Sequence, residues 1–338
     1  MVRVRLPRLA AVIALAAAVP LVAAAPVTIR LATLAPENSP WAGALKSMGA
    51  KWTKVTEGRV RLNVFAGTLP SESSAIARMA VDGFQAATLM VAGLGELDQA
   101  FNIFGSPFFF ETDEELAHVQ QKLTPYLAGR LQAKGYHLLG WGNGGWVRLF
   151  SKKPIRGMDD MKRAKIYTTE GDERVVRWYA SHNIRAVPLP TGEIPKQLML
   201  PTGAIDAAPS PPVFAVALQF FRDAPYMLDL RIGPLTGATV IRTSTWNRIS
   251  ADDQAAMTAA ARAMEAQVQG EASSLDAKSI KEMQSAGLQV ITLDKPATAQ
   301  FLDAAAKMTA SQRGDIVPAE AFDLAVKERD AYRNSKGR

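Results

Sequence analysis

The 338-residue chain contains no cysteine and only three histidines. The absence of cysteine excludes disulfide bonds, thiolate nucleophiles, cysteine-ligated zinc and a lipid-anchored cysteine after a leader. The histidines, His118, His137 and His182, have no partner at the spacing of a metal site or a catalytic group. The sequence also lacks a G-x-S-x-G elbow, a P-loop and a dinucleotide-binding glycine fingerprint. We therefore expect no catalytic residue, no metal and no cofactor, and an enzyme is the less favoured alternative.

The positive charge of the chain is concentrated at its ends. The formal net charge is +7, but the first eight residues and the last twelve each carry a net three positive charges. The remaining body is close to neutral at about +1, which offers no electrostatic footprint for nucleic acid. The sequence therefore predicts no nucleic-acid partner.

The first 25 residues have the three parts of a secretory signal peptide. Arg3, Arg5 and Arg8 precede an apolar run over residues 9–19, and small residues follow at Ala23 to Ala25. Pro26 disfavours cutting after Ala25, so we expect cleavage after Ala24. A retained membrane anchor is the alternative, although the apolar run is short for a span. No later segment is long and apolar enough to cross a bilayer, so a soluble mature protein in the periplasm is expected.

Alternating patterns indicate an α/β fold with two lobes. Strands are predicted at residues 27–32, 59–65 and 86–92, with helices between them, and this βαβαβ order favours a parallel sheet covered by helices. A second unit of the same kind follows, with strands at 164–168, 186–189 and 204–208. From Ala238 the chain is predicted to return to the first lobe. The length of the chain and its apolar content are sufficient for two cores.

A long alanine-rich stretch, residues 252–286, has few helix breakers. As one helix it would extend roughly 50 Å, which exceeds a single lobe. Two helices broken at Gly270 are the alternative.

The stretch from Trp141 to Asp172 is the predicted centre of function. A strand ends in the glycine cluster Gly142, Gly144 and Gly145, and aromatic residues at Trp141, Trp146 and Tyr167 lie among polar neighbours. Aromatic faces beside a cleft supply contact area at low entropic cost. Core packing is the alternative for each of these aromatic side chains.

Short motifs run in order along the chain and resemble one protein family. They are LATLAPENSP (31–40), EGRVRLNVFAGTL (57–69), SPFFFETDEE (106–115), SKKPI (151–155), MDDMKRAKIYT (158–168), VPLPTGE (187–193) and TGAIDA (202–207). This ordered set resembles the extracytoplasmic solute-binding proteins of tripartite ATP-independent periplasmic (TRAP) transporters, of the DctP-like type. The resemblance implies a two-lobed periplasmic-binding-protein fold in which each lobe is a mixed sheet flanked by helices, with a long hinge helix.

The predicted crossings of the chain divide it into two lobes and a tail. Lobe I is expected to comprise residues 26–144 and 236–268, and lobe II residues 145–235 and 269–332. Residues 333–338 are expected to form a flexible tail.

The sequence departs from the family at the positions that the resemblance assigns to the ligand. Tyr167 stands where the family usually has an arginine that binds the ligand carboxylate, and Trp146 stands where it usually has another. A neutral phenol offers one donor and no charge, so it cannot replace a guanidinium. We therefore expect a neutral, aromatic or lipid-like ligand. The predicted ligand-binding residues are Trp146, Tyr167, Trp141, Asn143, Arg148 and Ser210. Arg148 either takes over an ionic contact or lies as a cation over the ring of Trp146.

These expectations favour a solute receptor that captures a small organic ligand by closing its lobes and delivers it to TRAP membrane permease subunits. A periplasmic carrier or sensory protein that binds such a ligand without a TRAP permease is the alternative. A monomer is expected, and a dimer is left open.

Overall fold

The computed structural model describes residues 25–337, without the side chains of Arg174, Glu271, Ala272 and Ser273. All but the last residue of the predicted signal peptide therefore lies outside the described residues. Within residues 25–337, no helix combines the length and the hydrophobicity that a bilayer span requires.

The described chain alternates between strands and helices. The strands are β1 (Val27–Thr33), β2 (Val60–Ala66), β3 (Ala86–Met90), β4 (Tyr136–Ser151), β5 (Lys165–Thr169), β6 (Arg185–Leu189), β7 (Ala207–Ser210), β8 (Tyr226–Arg242) and β9 (Gln289–Ile291). The helices are α1 (Pro40–Val55), α2 (Glu72–Ala80), α3 (Val91–Leu97), α4 (Asp113–Ala133), α5 (Met158–Arg163), α6 (Glu173–Ser181), α7 (Ile194–Met199), α8 (Pro212–Ala217), α9 (Thr243–Trp246), α10 (Ala251–Ser285), α11 (Lys295–Gln312) and α12 (Ala319–Ser335). Short 3₁₀ helices cover Gln99–Gly105, Thr191–Glu193 and Phe220–Arg222.

Two long strands join the two halves of a single nine-stranded sheet. The strand order is β2-β1-β3-β8-β4-β7-β5-β6, with β9 beside β8. The pairs of β1 with β2 and β3, and of β5 with β6 and β7, are parallel, as predicted for both βαβαβ units. The central pair of β4 and β8 is antiparallel and extends through both halves. The mixed α/β, two-lobed fold is therefore confirmed.

The glycine cluster lies inside β4 and does not end it. The sequence predicts two separate runs on either side of the glycines, whereas the structure has one 16-residue strand. The register against β8 shifts between Asn143 and Trp146, which marks an irregularity at the glycines. A strand can tolerate such a step without ending because the flanking hydrogen bonds resume on the other side.

The alanine-rich stretch forms one continuous helix of 35 residues, α10. Ser250 accepts a hydrogen bond from the backbone N–H of Asp253, as a side-chain cap at the helix start. Gly270 lies inside the helix, and a Cβ atom at this position would have no neighbouring atom within 4 Å. Neither close packing nor a left-handed backbone conformation therefore breaks the helix at Gly270. The alternative of two helices is therefore wrong, and α10 extends over roughly 50 Å.

The core is divided into four clusters of buried apolar side chains. The first two clusters contain β1 and β3 residues from opposite faces of the sheet, and the last two divide the faces of β5 in the same way. The first cluster includes Phe101, Phe104, Leu116 and Leu123, and the second includes Trp41, Leu45, Trp52 and Met257. The third cluster includes Phe150, Tyr167, Phe220 and Met283, and the fourth includes Leu149, Ile166, Tyr179 and Phe301. Helix α10 contributes Met257 to the second cluster and Met283 to the third, so it spans both halves.

The C-terminal helix packs where the sequence does not predict it. Helix α12 contributes Ala321 and Ala325 to the first cluster and packs on α4. The prediction places residues up to 332 in lobe II and leaves 333–338 as a flexible tail. Helix α12 instead continues to Ser335, and Arg333 pairs with the buried carboxylate of Glu115 at 2.9 Å. Small alanine side chains permit this close packing of two helices, and that pairing is not visible from the local sequence.

Candidate ligand-binding site

A cavity of about 250 Å³ lies between the two halves of the chain. The central strands β4 and β8 contribute one wall, and residues before, between and after them close the rest. Most of the lining side chains are apolar. The described residues that line the cavity include Met90, Val91, Phe104, Phe108, Val147, Leu149, Met161, Tyr167, Thr168, Asp172, Val175, Trp178, Tyr179, Leu228, Leu230, Ile232, Leu235, Thr236, Phe301 and Met308.

The first half of the chain closes the cavity with the start of α3 and the segment that ends in Phe108. Phe108 has a φ of 55°, in the left-handed region that an aromatic residue rarely adopts. Its backbone N–H donates to the carbonyl of Ile232 at 2.7 Å, which attaches this segment to β8. The unusual backbone conformation is thus held by a contact at the cavity wall, where strained residues are often functional.

The start of α3 is held by a buried carboxylate. Glu72 accepts hydrogen bonds from the backbone N–H groups of Met90 at 2.6 Å and Gly93 at 2.7 Å. Met90 is the N-cap residue of α3, and its own side chain makes no capping hydrogen bond. Burial raises the pKa of Glu72 to about 7; the two N–H donors act in the opposite direction, and nearby Glu96 and Asp172 raise the pKa further. A change in protonation at Glu72 would therefore act directly on one wall of the cavity.

The second half of the chain supplies the end of β5 and the apolar faces of α6 and α11. Thr168 shares a face of β5 with Ile166 of the fourth cluster. Thr168 is 4% exposed, and its hydroxyl has no hydrogen-bond partner among the described residues. The indole Nε1 of Trp178 is likewise buried and unpartnered. Both residues are among those that line the cavity.

Few of the described side chains that line the cavity are ionisable. Asp172 is the one ionisable acid among its described lining residues, and no lysine, arginine or histidine is among them. Burial of an anion is unfavourable unless a cation or several hydrogen-bond donors compensate it.

Tyr167 borders the cavity, but its side chain belongs to the third cluster. The residue is 5% exposed, and its ring lies on the opposite face of β5 from Thr168. Its hydroxyl lies 3.0 Å from the hydroxyl of Thr191. Burial raises the pKa of the phenol, so Tyr167 is neutral at physiological pH.

Trp146 is not among the residues that line the cavity. It is 1% exposed, packs in the first cluster, and donates from Nε1 to the carboxylate of Asp113 at 3.1 Å. The cation over its ring is Arg231, 5.5 Å from the ring centroid. Of the two alternatives for Arg148, the position over this ring is taken by Arg231, an arginine of β8.

Arg148 lies in a buried ion pair behind the cavity. Its Nη1 is 3.4 Å from Oδ2 of Asp276 on α10 and donates to the carbonyl of Trp146 at 3.3 Å. Oδ2 of Asp276 also accepts from the backbone N–H of Trp146 at 3.3 Å. Burial raises the pKa of Asp276, whereas the N–H of Trp146 and the charge of Arg148 act against this shift. The pair connects the central strand with the long helix.

The other predicted site residues lie outside the large cavity. Trp141 packs on Phe101 and Phe104 and donates from Nε1 to Thr124 at 2.9 Å. Asn143 lines a second cavity of about 40 Å³ beside α10. Ser210 is buried opposite Arg148 in the β4–β7 pair, and its hydroxyl donates to the carbonyl of Pro211 at 3.2 Å.

The glycine cluster has a steric explanation. A Cβ atom on Gly142 would lie 2.1 Å from the ring of Trp41, so only glycine allows this tryptophan to lie on the strand. Gly145 has a φ of 95°, and a Cβ there would lie 2.8 Å from Asp276. Both glycines therefore allow α1 and α10 to approach β4 closely.

Sequence reasoning missed most of the cavity wall. The phenylalanine-rich segment that contains Phe104 and Phe108 was visible as a loop, and its apolar content was the available signal. The contributions of α6 and α11 come from ordinary amphipathic helices, so no local pattern distinguishes their cavity-lining residues from core residues.

Comparison with known proteins gives the family of the chain. A model of the DctP family, described as bacterial extracellular solute-binding protein family 7, matches residues 31–314. Among similar solved structures is DctP7 of Bordetella pertussis, an extracytoplasmic solute receptor that binds pyroglutamic acid. It is 18% identical with a TM-score of 0.83, and the match covers 90% of this chain and 99% of that chain.

Two further structures show the same fold. A TRAP periplasmic solute-binding protein from Pseudomonas putida F1, with bound D-glucuronate, is 24% identical with a TM-score of 0.79, over 89% of this chain and 96% of that chain. A TRAP periplasmic solute-binding protein from Desulfovibrio desulfuricans, with bound sn-glycerol-3-phosphate, is 19% identical with a TM-score of 0.82, over 89% of this chain and 97% of that chain. The match of the family model over most of the sequence shows that the chain belongs to family 7 of the bacterial extracellular solute-binding proteins, the TRAP solute receptors that its motifs resemble.

Proposed function

We propose that this protein captures one small organic ligand between its lobes and delivers it to TRAP membrane permease subunits. The observation that carries the proposal is the cavity of about 250 Å³, whose wall is contributed by both halves of the chain. A ligand in such a cavity contacts both halves at once only when they are closed around it. Closure is therefore favoured by the contacts that exist in the closed state alone.

Two strands and one long helix that connect the halves are available to support this motion. Strands β4 and β8 cross between the halves, and α10 packs along both. The register of β4 against β8 is irregular at its glycines, where the strand crosses between the halves. We propose that lobe I comprises residues 26–144 and 236–268 together with α12, and that the rest of residues 145–312 forms lobe II.

We propose that the six predicted site residues lie at different distances from the ligand. We propose that Tyr167 contacts the ligand from the end of β5. Trp146 and Arg148 support the wall from behind, Trp141 and Ser210 fix the adjoining strands, and Asn143 lies at the smaller cavity.

We propose that the mature protein acts as a monomer in the periplasm after removal of residues 1–24. The three similar receptors bind pyroglutamic acid, D-glucuronate and sn-glycerol-3-phosphate. We propose that the ligand of this chain is likewise a small organic molecule of similar size.

The test has two stages. The mature protein is purified from a periplasm and denatured, and any released small molecule is identified by mass spectrometry. The stripped protein is then measured by small-angle X-ray scattering with and without that molecule. A smaller radius of gyration with the molecule supports capture by closure, and an unchanged radius contradicts it.

The second stage separates the transport receptor from the carrier or sensor. Uptake of the identified molecule is measured in cells with and without the TRAP permease genes. Loss of uptake on permease deletion supports delivery to the permease. Unchanged uptake, with closure still observed, supports the carrier or sensory alternative.

A further inference from the structure

We propose that the turn at Gly171 and the side chain of Arg177, both in lobe II, form a latch that holds the lobes closed over the cavity. Their partners are Ser73 and Glu96 for Gly171, and Asp315 for Arg177, and all three partners are attached to lobe I. The inference rests on the proposed capture by closure and names contacts that stabilise the closed state.

Gly171 lies against the surface of lobe I. A Cβ atom at this position would lie 3.5 Å from Oε1 of Glu96 and 3.5 Å from Oγ of Ser73. The hydroxyl of Ser73, in α2, donates to the carboxylate of Glu96, in α3, at 2.5 Å, so the turn contacts two helices that are joined to each other. Gly171 has a φ of 89°, in the region that favours glycine, and the missing side chain lets its backbone approach both helices.

The turn that carries Gly171 is fixed to lobe II. The backbone N–H of Asp172 donates to the carbonyl of Thr169, the last residue of β5, at 3.1 Å. The carboxylate of Asp172 accepts from the backbone N–H of Val175 at 3.2 Å and caps the start of α6. The turn therefore moves with β5 and α6, and opening of the lobes would separate it from α2 and α3.

An ion pair further along α6 is the second contact of the latch. Nη1 of Arg177 lies 3.5 Å from Oδ2 of Asp315, in the segment between α11 and α12. This segment is held on lobe I, because Nδ2 of Asn102 donates to the carbonyl of Ile316 at 2.8 Å and Val317 is buried in the first cluster. The side chains of the pair are 58% and 63% exposed, so its contribution is modest.

The latch lies beside the cavity. Asp172 and Val175 line the cavity from lobe II, and Met90 and Val91, at the start of the helix that carries Glu96, line it from lobe I. A molecule in the cavity and the latch therefore favour the same closed arrangement. Because the latch contacts are exposed and weak, the lobes can still open when the cavity is empty.

The absence of cysteine permits a direct test of the contact at Gly171. Ser73→Cys/Gly171→Cys introduces two thiols within reach of a disulfide, because Oγ of Ser73 lies 3.5 Å from the Cβ position of residue 171. The fraction of disulfide in the ligand-free protein is measured at equilibrium in glutathione buffers. This fraction gives the effective concentration of the two thiols, even when the closed state is rarely populated.

The control pair is Ser73→Cys/Arg163→Cys. Arg163 is exposed and precedes β5, whereas Gly171 follows β5, so the two positions are separated by the length of the strand. We expect an effective concentration at least about tenfold higher for the pair at residues 73 and 171 than for the control. Equal values for the two pairs overturn the contact at Gly171.

A second pair leaves Gly171 in place, in case a cysteine with a positive φ prevents folding. Arg177→Cys/Asp315→Cys is treated with bis-maleimidoethane, and Arg163→Cys/Asp315→Cys is its control. Circular dichroism establishes that each variant is folded. We expect an intramolecular cross-link in the first variant and little in the control. The absence of a cross-link in folded protein from both latch pairs overturns the latch.

The ion pair is tested by charge reversal in the Ser73→Cys/Gly171→Cys protein. Arg177→Glu replaces attraction by repulsion and should lower the effective concentration of the thiols about threefold, and Asp315→Lys in addition should restore it. Lys162→Glu is the matched control, because its pair with Asp159 lies within α5. An unchanged value for Arg177→Glu, or the same decrease for Lys162→Glu, overturns the ion pair as part of the latch.

The latch and the receptor function fail separately. If the disulfide forms but its reduction leaves the radius of gyration of the ligand-free protein unchanged, the contact stands and capture by closure is wrong. If the molecule that co-purifies with the wild type lowers its radius of gyration while neither latch pair cross-links, closure stands and the latch is wrong.

Discussion

The buried pair of Arg148 and Asp276 allows a quantitative test of how the central strand is attached to the long helix. Their side chains are 6% and 7% exposed, and the charged atoms are 3.4 Å apart. Removal of one charge from such a pair leaves the other buried without compensation, which typically costs 3–5 kcal/mol. Asp229 lies 3.7 Å from Nε of Arg148 and is half-exposed, so it partly compensates when Asp276 is neutralised. We therefore expect Asp276→Asn to cost about 3 kcal/mol, at the lower end of that range.

The expected shift in melting temperature follows from the size of the protein. The unfolding entropy of roughly 310 residues is about 0.65 kcal/mol per kelvin, so a loss of about 3 kcal/mol lowers the melting temperature by about 5 °C. Arg148→Met should cost a similar amount at neutral pH. Its deficit should shrink as pH falls, because burial raises the pKa of Asp276 and a protonated Asp276 needs no counter-charge.

The double variant Arg148→Met/Asp276→Asn is the decisive measurement. It leaves no buried charge, so we expect it to cost less than either single variant. Unfolding is followed by differential scanning calorimetry, with a check that the transition is reversible and two-state. Asp303→Asn is the matched control, because its pair with Lys307 at 2.7 Å is mostly exposed and contributes at most about 0.5 kcal/mol. A double variant that costs the sum of the single variants would refute the reasoning, since the two charges would then be energetically independent.

Three further predictions concern single residues. Glu72→Gln should flatten the pH dependence of the free energy of unfolding. A carboxyl whose pKa is raised to about 7 stabilises the fold at low pH and loses that contribution, about 3 kcal/mol, as pH rises through 7. The free energies of unfolding in urea at pH 5 and pH 8 should therefore differ less in the variant than in the wild type. Tyr167→Ala should lower the stability of the ligand-free protein by about 3 kcal/mol or more, because the ring is buried in the third cluster. Tyr167→Phe, which removes only the hydroxyl, should lower it by about 1 kcal/mol. A nearly unchanged melting temperature for the alanine variant would show that the ring is not part of the core. Arg333→Ala should lower stability by about 2 kcal/mol, because it leaves the buried carboxylate of Glu115 without its cation. Lys336→Ala is the control and should change stability little, because Lys336 has no acidic partner among the described residues. Equal effects of the two variants would mean that α12 is frayed at its end.

The local elements were largely predictable because each carries its own pattern. The strand and helix order of both βαβαβ units follows from alternation and helical spacing, and the cap at Ser250 follows from its side-chain chemistry. The continuity of α10 through Gly270 was left open by the sequence. It depends on packing along both halves, which outweighs the unfavourable intrinsic propensity of one glycine.

The candidate site was less predictable because strand alternation alone does not tell which face meets the cavity. Tyr167, the predicted ligand contact, and the adjacent Thr168 both border the larger cavity, but their side chains belong to opposite faces of β5. A position over the ring of Trp146 was one of two alternatives for Arg148, the other being an ionic contact with the ligand. Arg231 from the neighbouring strand lies over that ring, and Arg148 pairs with Asp276 on α10.

The sequence by itself determined the class of the protein: an α/β chain without disulfides, with ordered family motifs and without the arginine that the family usually carries at position 167. Those properties depend on residue identity and local spacing. Only the tertiary structure decided that most described side chains lining the cavity are apolar, that Arg148 pairs with Asp276, and that α12 packs on α4. Each of these depends on residues more than 100 positions apart in the chain, whose proximity is set by how strands and helices pack and not by any pattern within them.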